Sequence, residues 1–300
     1  MDKIGGFILK KVLFTGCGTA IATPFNDNGV NLEEFKKLIN SQIEEKVDAI
    51  IVCGTTGEAA TMTLEEKIQT IKCAVETSNK RVPIIAGTGA NNTKQAIDMS
   101  KEAEKLGVDG LLIVTPYYNK CTQQGLIEHY KAIAAETTLP IIVYNVPSRT
   151  GVNIMPQTCL ELSKVENIVA IKEASGNLSQ VVEIANLCGD NLTIYSGNDD
   201  QILPILSVGG KGVISVLSNI KPRETHDMVM EFLNGHIEKA KELQLKYIPL
   251  IKVLFSEVNP IPVKEALNII GYNFGEPRLP LTKITEEKRR ILEKEIEKLK

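Results

Sequence analysis

The chain has 300 residues, 43% of them hydrophobic, with 34 basic and 37 acidic side chains and a net charge of −3. That length buries a large core in one or two domains, and near-balanced charge with no basic block argues against a nucleic-acid surface. No run of about 18 apolar residues occurs, which argues against a membrane-spanning helix.

The opening Met1–Lys11 carries a short apolar stretch, Ile4 to Leu9, with lysines on both sides. It is too short for a secretory signal and reads as an N-terminal extension, residues 1–11, or an early start codon. Eight short apolar runs follow: Gly18–Thr23, Ala49–Cys53, Val82–Ala86, Gly110–Thr115, Pro140–Tyr144, Ile168–Lys172, Leu192–Ser196 and Gly212–Val216. Polar alternation is largely missing, as in strands buried on both faces. Helical patterns lie between them, among them Leu32–Glu45, Leu64–Ser78, Thr93–Leu106 and Leu126–Glu136. Strand ends recur every 20 to 33 residues or so, the length of a β-α unit. Eight such units predict an α/β fold, a (β/α)8 TIM barrel over residues 12–234. An open doubly wound sheet would have fewer strands and a glycine-rich first turn. Beyond residue 235 the strands stop, and Ile237–Phe255, Pro262–Ile270 and Thr285–Leu299 predict additional C-terminal helices over 235–300.

Local signals agree. Thr63-Leu64-Glu65-Glu66 has the pattern of a capping box, and Pro222 suits the first turn of the eighth helix. Of six cysteines, none forms a Cys-x-x-Cys pair or stands with the three histidines at metal-ligand spacing, so neither zinc nor another metal is expected. Scattered thiols at apolar positions suit a reducing cytoplasm. Gly16-Cys17-Gly18 and Gly87-Thr88-Gly89 start like dinucleotide turns, but Ile21 and Asn92 stand where the third glycine belongs, and nucleotide binding is weakly supported.

Chemistry in such a barrel sits at the C-terminal strand ends. Lys172 ends the sixth run and opens into Glu173-Ala174-Ser175-Gly176. Low-dielectric surroundings depress a lysine pKa, and a neutral amine attacks a carbonyl to form a Schiff base. The alternative is a strand-end lysine pointing into water. Gly54–Glu58 offers backbone N–H groups and two hydroxyls that suit a small carboxylate, or forms an ordinary turn. Tyr144 can exchange a proton with a nearby carbonyl oxygen, or is an interior tyrosine with a satisfied hydroxyl. Arg149 offers a bidentate fork for a carboxylate, or lies on the surface. Cys53 and Cys121 flank two of these loops without a base and read as packing residues.

Gly54-Thr55-Thr56-Gly57-Glu58, Tyr144 with its Asn-Val-Pro-Ser-Arg-Thr-Gly tail, and Ile171-Lys172-Glu173-Ala174 occur in that order. Together they resemble the pyruvate-dependent class I aldolase family of dihydrodipicolinate synthases and N-acetylneuraminate lyases, from about Gly16 to the C-terminal helices. The resemblance implies that Lys172 forms the imine with pyruvate, that Tyr144 shuttles protons, and that Thr55 and Tyr118 join it in a relay. It implies that Tyr118 crosses a tight dimer interface beside Tyr117 and that Thr55 and Thr56 bind the pyruvate carboxylate. Gly197 and Ile214 would line the site, the latter through its carbonyl. Arg149 matches the residue that holds the second substrate's carboxylate, which favours L-aspartate 4-semialdehyde over a sugar acid. The implied reaction is their condensation in lysine and diaminopimelate biosynthesis, with no cofactor beyond the pyruvate imine on Lys172. The implied assembly is a homotetramer, a dimer of tight dimers.

Lysine-inhibited members bind L-lysine through a histidine or aromatic, an asparagine, a glutamate and a tyrosine. Asn91 and Tyr117 match, but the helix positions are Leu64 and Lys67 and the glutamate position is Gln95. The chain is therefore expected to be insensitive to lysine. A sugar-acid lyase of the same family, or a barrel that binds without catalysing, are the alternatives.

Overall fold

The eight apolar runs become eight strands in the computed structural model, which describes residues 3–4, 7–8, 10 and 12–299. These are β1 (Gly16–Ala20), β2 (Ala49–Val52), β3 (Ile84–Gly87), β4 (Gly110–Val114), β5 (Ile141–Asn145), β6 (Ile168–Glu173), β7 (Thr193–Ser196) and β8 (Gly212–Ser215). They form a closed barrel in the order β6-β7-β8-β1-β2-β3-β4-β5. The helices are α1 (Leu32–Glu44), α2 (Leu64–Ser78), α3 (Thr93–Lys105), α4 (Gln123–Ala134), α5 (Pro156–Ser163), α6 (Leu178–Cys188) and α7 (Ile202–Leu206). After the last strand come α8 (Pro222–Leu233), α9 (Ile237–Leu254), α10 (Ile261–Ile269) and α11 (Glu286–Glu297). Every residue of β1, β2, β5, β6 and β8 is buried. A strand with a packed interior on one side and a helix on the other has no use for polar alternation.

The fold is thus the predicted (β/α)8 barrel with added C-terminal helices, and the departures are local. β3 starts at Ile84, not Val82, because Pro83 has no N–H and Val82 is tied by its carbonyl to the Ser78 hydroxyl at 2.8 Å. β5 starts after Pro140, whose carbonyl still accepts from the Leu111 N–H. The fourth helix starts at Gln123, three residues before its expected start, because the Thr122 hydroxyl accepts from the Gly125 N–H at 3.1 Å. Such a cap is worth about 1 kcal/mol.

The chain divides into two compact units, one built on Ile85–Ile214 and the other on Gly16–Ile84 with Ser215–Lys300. In the first, β5 and β6 pair in parallel with Tyr144 opposite Lys172 and Asn145 opposite Glu173. Phe14 joins this unit, stacked on Tyr195 at 4.2 Å, while the Tyr195 hydroxyl donates to the Phe14 carbonyl at 2.6 Å. The expected extension Met1–Lys11 lies largely outside the described residues. Lys10 is described, and its ammonium donates to the carbonyls of Ser163, Val165 and Ile168 at 2.6 to 2.7 Å.

In the second unit the capping box at Thr63 and Glu66 is present in both directions, and Pro222 opens α8. Asn219 crosses from the chain after β8 to β1, donating to the Ala20 carbonyl and accepting from the Ala22 N–H. No helix among the described residues is long and apolar enough to cross a membrane.

Candidate active site

Lys172 is 6% exposed near the end of β6. Its ammonium lies 4.3 Å from the centre of the Tyr144 ring on the neighbouring strand. A parallel ladder in this register carries the two side chains to one end of adjoining strands. Tyr144 is buried as well. Among the described residues no carboxylate stands within ion-pair distance of Lys172. The amine is thus held by packing and a π face, which leaves its nitrogen for a carbonyl carbon.

Gly197 shapes the same place. A Cβ added there would stand 3.1 Å from the Lys172 Cε, 3.0 Å from the Glu173 carbonyl and 2.6 Å from the Ala174 Cβ. Its N–H donates to that Glu173 carbonyl at 2.7 Å. Only a glycine lets the chain after β7 pass so close to the Lys172 side chain.

Behind this pair, Asn145 and Glu173 alternate with Tyr144 and Lys172 and face a buried polar network. The Glu173 carboxylate accepts from the Asn145 amide at 2.9 Å, the Ser175 N–H at 2.6 Å and the Gln180 amide at 3.4 Å. Asn145 also donates to the Asn153 side-chain amide oxygen at 2.8 Å and accepts from the Ile154 N–H at 2.9 Å. Burial pushes the Glu173 carboxyl above its ordinary value, and the three donors only partly offset this.

Arg149 is exposed on one turn of helix, Pro147–Thr150. The Thr150 hydroxyl bonded to the Val146 and Val152 carbonyls and the left-handed Gly151 fix that turn. Tyr118 is 91% exposed with a φ of 72°, an uncommon conformation for a bulky residue. Its hydroxyl has no hydrogen-bond partner among the described residues. Tyr117 is exposed too, with its carbonyl accepting from the Asn91 amide at 3.4 Å. Ile214 is buried in β8.

In the second unit, β2 ends in the Gly54–Glu58 turn, with Thr55 exposed and Thr56 buried. The Thr56 hydroxyl oxygen accepts from the Asn259 amide at 3.0 Å, which leaves its proton to donate to an anion. Glu58 is buried and paired with Lys264 at 2.7 Å. Sequence reasoning missed Asn259 and Lys264. Lys264 stands in an apolar helical pattern with nothing in the adjacent residues to mark it, and only its charge amid Ile261, Pro262, Val263 and Leu267 was a signal. It also passed over Asn145 as a network residue. Burial pushes the Cys53 thiol up to about 12, which fits packing over nucleophilic chemistry.

A closed parallel barrel with a buried amine beside a phenol at adjoining strand ends is the build of a barrel enzyme of amine–carbonyl chemistry. Comparison with known proteins agrees: the chain belongs to the dihydrodipicolinate synthetase family, whose model matches residues 13–299. It is 62% identical over 283 residues to the 4-hydroxy-tetrahydrodipicolinate synthase of Caldicellulosiruptor saccharolyticus, covering 94% of this chain and 96% of that one. The crystal structure of a dihydrodipicolinate synthase from Thermotoga maritima superposes with a TM-score of 0.94 at 42% identity, over 96% of this chain and 99% of that one. A dihydrodipicolinate synthase variant described as monomeric superposes with a TM-score of 0.93, also at 42% identity, over 95% and 96%.

Proposed function

We propose that the chain condenses pyruvate with L-aspartate 4-semialdehyde to 4-hydroxy-tetrahydrodipicolinate, in lysine and diaminopimelate biosynthesis. The observation that carries this reading is the buried Lys172 amine, 4.3 Å from the Tyr144 ring and free of any carboxylate partner among the described residues. The 62% identity to a synthase of that name supports the substrates.

In this scheme the Lys172 nitrogen adds to the ketone carbon of pyruvate. Tyr144 gives and takes the protons as the oxygen leaves as water and the imine forms. The imine is an electron sink, so the pyruvate methyl group loses a proton and becomes an enamine. The enamine carbon attacks the aldehyde of the semialdehyde. The amino group of the new chain then displaces the Lys172 nitrogen from the imine carbon, closing the ring and freeing the enzyme. No cofactor enters beyond the covalent imine. Thr55 and Thr56 would hold the pyruvate carboxylate, with Gly197 and the Ile214 carbonyl lining the site. Thr55 would join Tyr144 in the relay, and Arg149 would hold the carboxylate of the second substrate.

Tyr118, exposed and unpartnered, would complete the relay of a second copy, with Tyr117 at the same interface. The assembly proposed is a homotetramer of tight dimers. A cytoplasmic setting is supported by six free cysteines, five of them buried.

The test is mass analysis after incubation with pyruvate and borohydride. A reduced pyruvyl adduct on Lys172, absent from Lys172→Ala, is expected. Loss of Arg149 should spare that adduct while weakening use of the semialdehyde about tenfold or more. A folded protein that forms no adduct would overturn the reading.

A further inference from the structure

We infer that Glu58 and Lys264 are a positioning pair that fixes the Thr55–Thr56 turn and so sets affinity for the pyruvate carboxylate. The inference rests on the proposed function, which gives that turn its ligand.

The turn is held in an unfavourable shape. Cys53 at its start and Glu58 at its end both have a φ of 54°, and non-glycine residues keep that conformation only when the surroundings impose it. The groups that hold its Glu58 end come from one segment near the C-terminus. The Glu58 carboxylate accepts from the Lys264 ammonium at 2.7 Å and from the Arg278 N–H at 3.0 Å. Lys264 also donates to the Glu276 carbonyl at 3.3 Å and lies 4.3 Å over the Phe25 ring. Arg278 lies 4.0 Å from the same ring and grips Glu66 with two bonds of 2.8 and 2.6 Å. Asn259 holds Thr56 at 3.0 Å. Residues 56 and 58 are therefore pinned on either side of Gly57, and Thr55 projects from the pinned turn.

A wholly buried ion pair is poor evidence of stabilisation, since a well-packed apolar pair of the same volume often holds a fold as well. Its use here is geometric. It keeps two hydroxyls aimed before substrate arrives, which is how affinity is gained without new contacts.

The double variant Glu58→Gln with Lys264→Met removes both charges and leaves no buried ion unpaired. Two quantities separate the roles: the pyruvate concentration giving half-maximal borohydride trapping, and the adduct yield on Lys172 at saturation. The half-maximal concentration should rise about tenfold or more, with the saturated yield within about threefold of the parent. An unchanged half-maximal concentration, or a saturated yield that falls in step with affinity, overturns the inference. If the double variant does not fold, Glu58→Gln alone, whose amide oxygen still accepts from Lys264 but without the charge, is read the same way. Failure of the parent to form any adduct would instead refute the proposed function.

Discussion

A methyl group added at Gly197 would stand 3.1 Å from the Lys172 Cε and 2.6 Å from the Ala174 Cβ. Neither the strand end nor the buried lysine has room to give without moving the amine. Gly197→Ala should therefore slow imine formation by roughly ten- to a hundredfold, since small misplacements of a reacting group have that effect. Time-resolved borohydride trapping checks this, and a rate equal to the parent's would show that the chain relaxes around the methyl. Lys172 and Tyr144 were legible because each ends an apolar run, and strand ends are where a barrel displays its side chains. Lys264 was not, since a lysine in a helix normally snorkels to water. Only tertiary structure reveals the Glu58 that it meets 206 positions away.

At the scale of the element, β5 and β6 are joined twice: on one face by Lys172 against Tyr144, on the other by Glu173 against Asn145. Glu173 has a carboxyl raised above its unfolded value by burial. Between the unfolded value and the raised one, the folded chain binds more protons than the unfolded chain. Stability from this group is thus greatest in acid and is lost as pH rises through that window. Urea midpoints of the parent and Glu173→Gln, taken from about pH 4 to pH 7, should diverge in that sense. Parallel curves would show that the carboxylate ionises as easily inside the protein as outside. The strands were readable from their unbroken burial, but this network was not. Asn145, Asn153, Glu173 and Gln180 come from four separated stretches, and each alone reads as a turn or helix polar residue.

At the scale of the molecule, eight apolar runs at β-α spacing sufficed for the barrel, because strands covered on both faces leave a pattern that few other folds repeat. The edges shifted where a single atom decided them, as with the absent N–H of Pro83 or the Thr122 hydroxyl that starts α4 early. Regulation belongs to this scale as well. The family resemblance aligns Lys67 and Gln95 with the aromatic or histidine and the glutamate of lysine-inhibited members, and on that expectation a cationic effector would lose an anion and meet a cation, a penalty of about 1 kcal/mol or more. The enzyme should keep its full rate in sub-millimolar L-lysine in a coupled assay, and inhibition at that level would refute the expectation.

The ammonium of Lys10 has a consequence for the strand that carries the amine. Ile168, one of its three acceptors, is the first residue of β6, and Lys172 lies four residues along the same strand. A chain trimmed to begin after Lys10 would take one shared cation from three carbonyls near the foot of that strand, of which that of Val165 keeps the Ile168 N–H. Wear at the N-terminus, by protease or by a poorly placed fusion, would then be felt as looser anchoring of the strand that carries Lys172, far from the residues proposed to meet substrate.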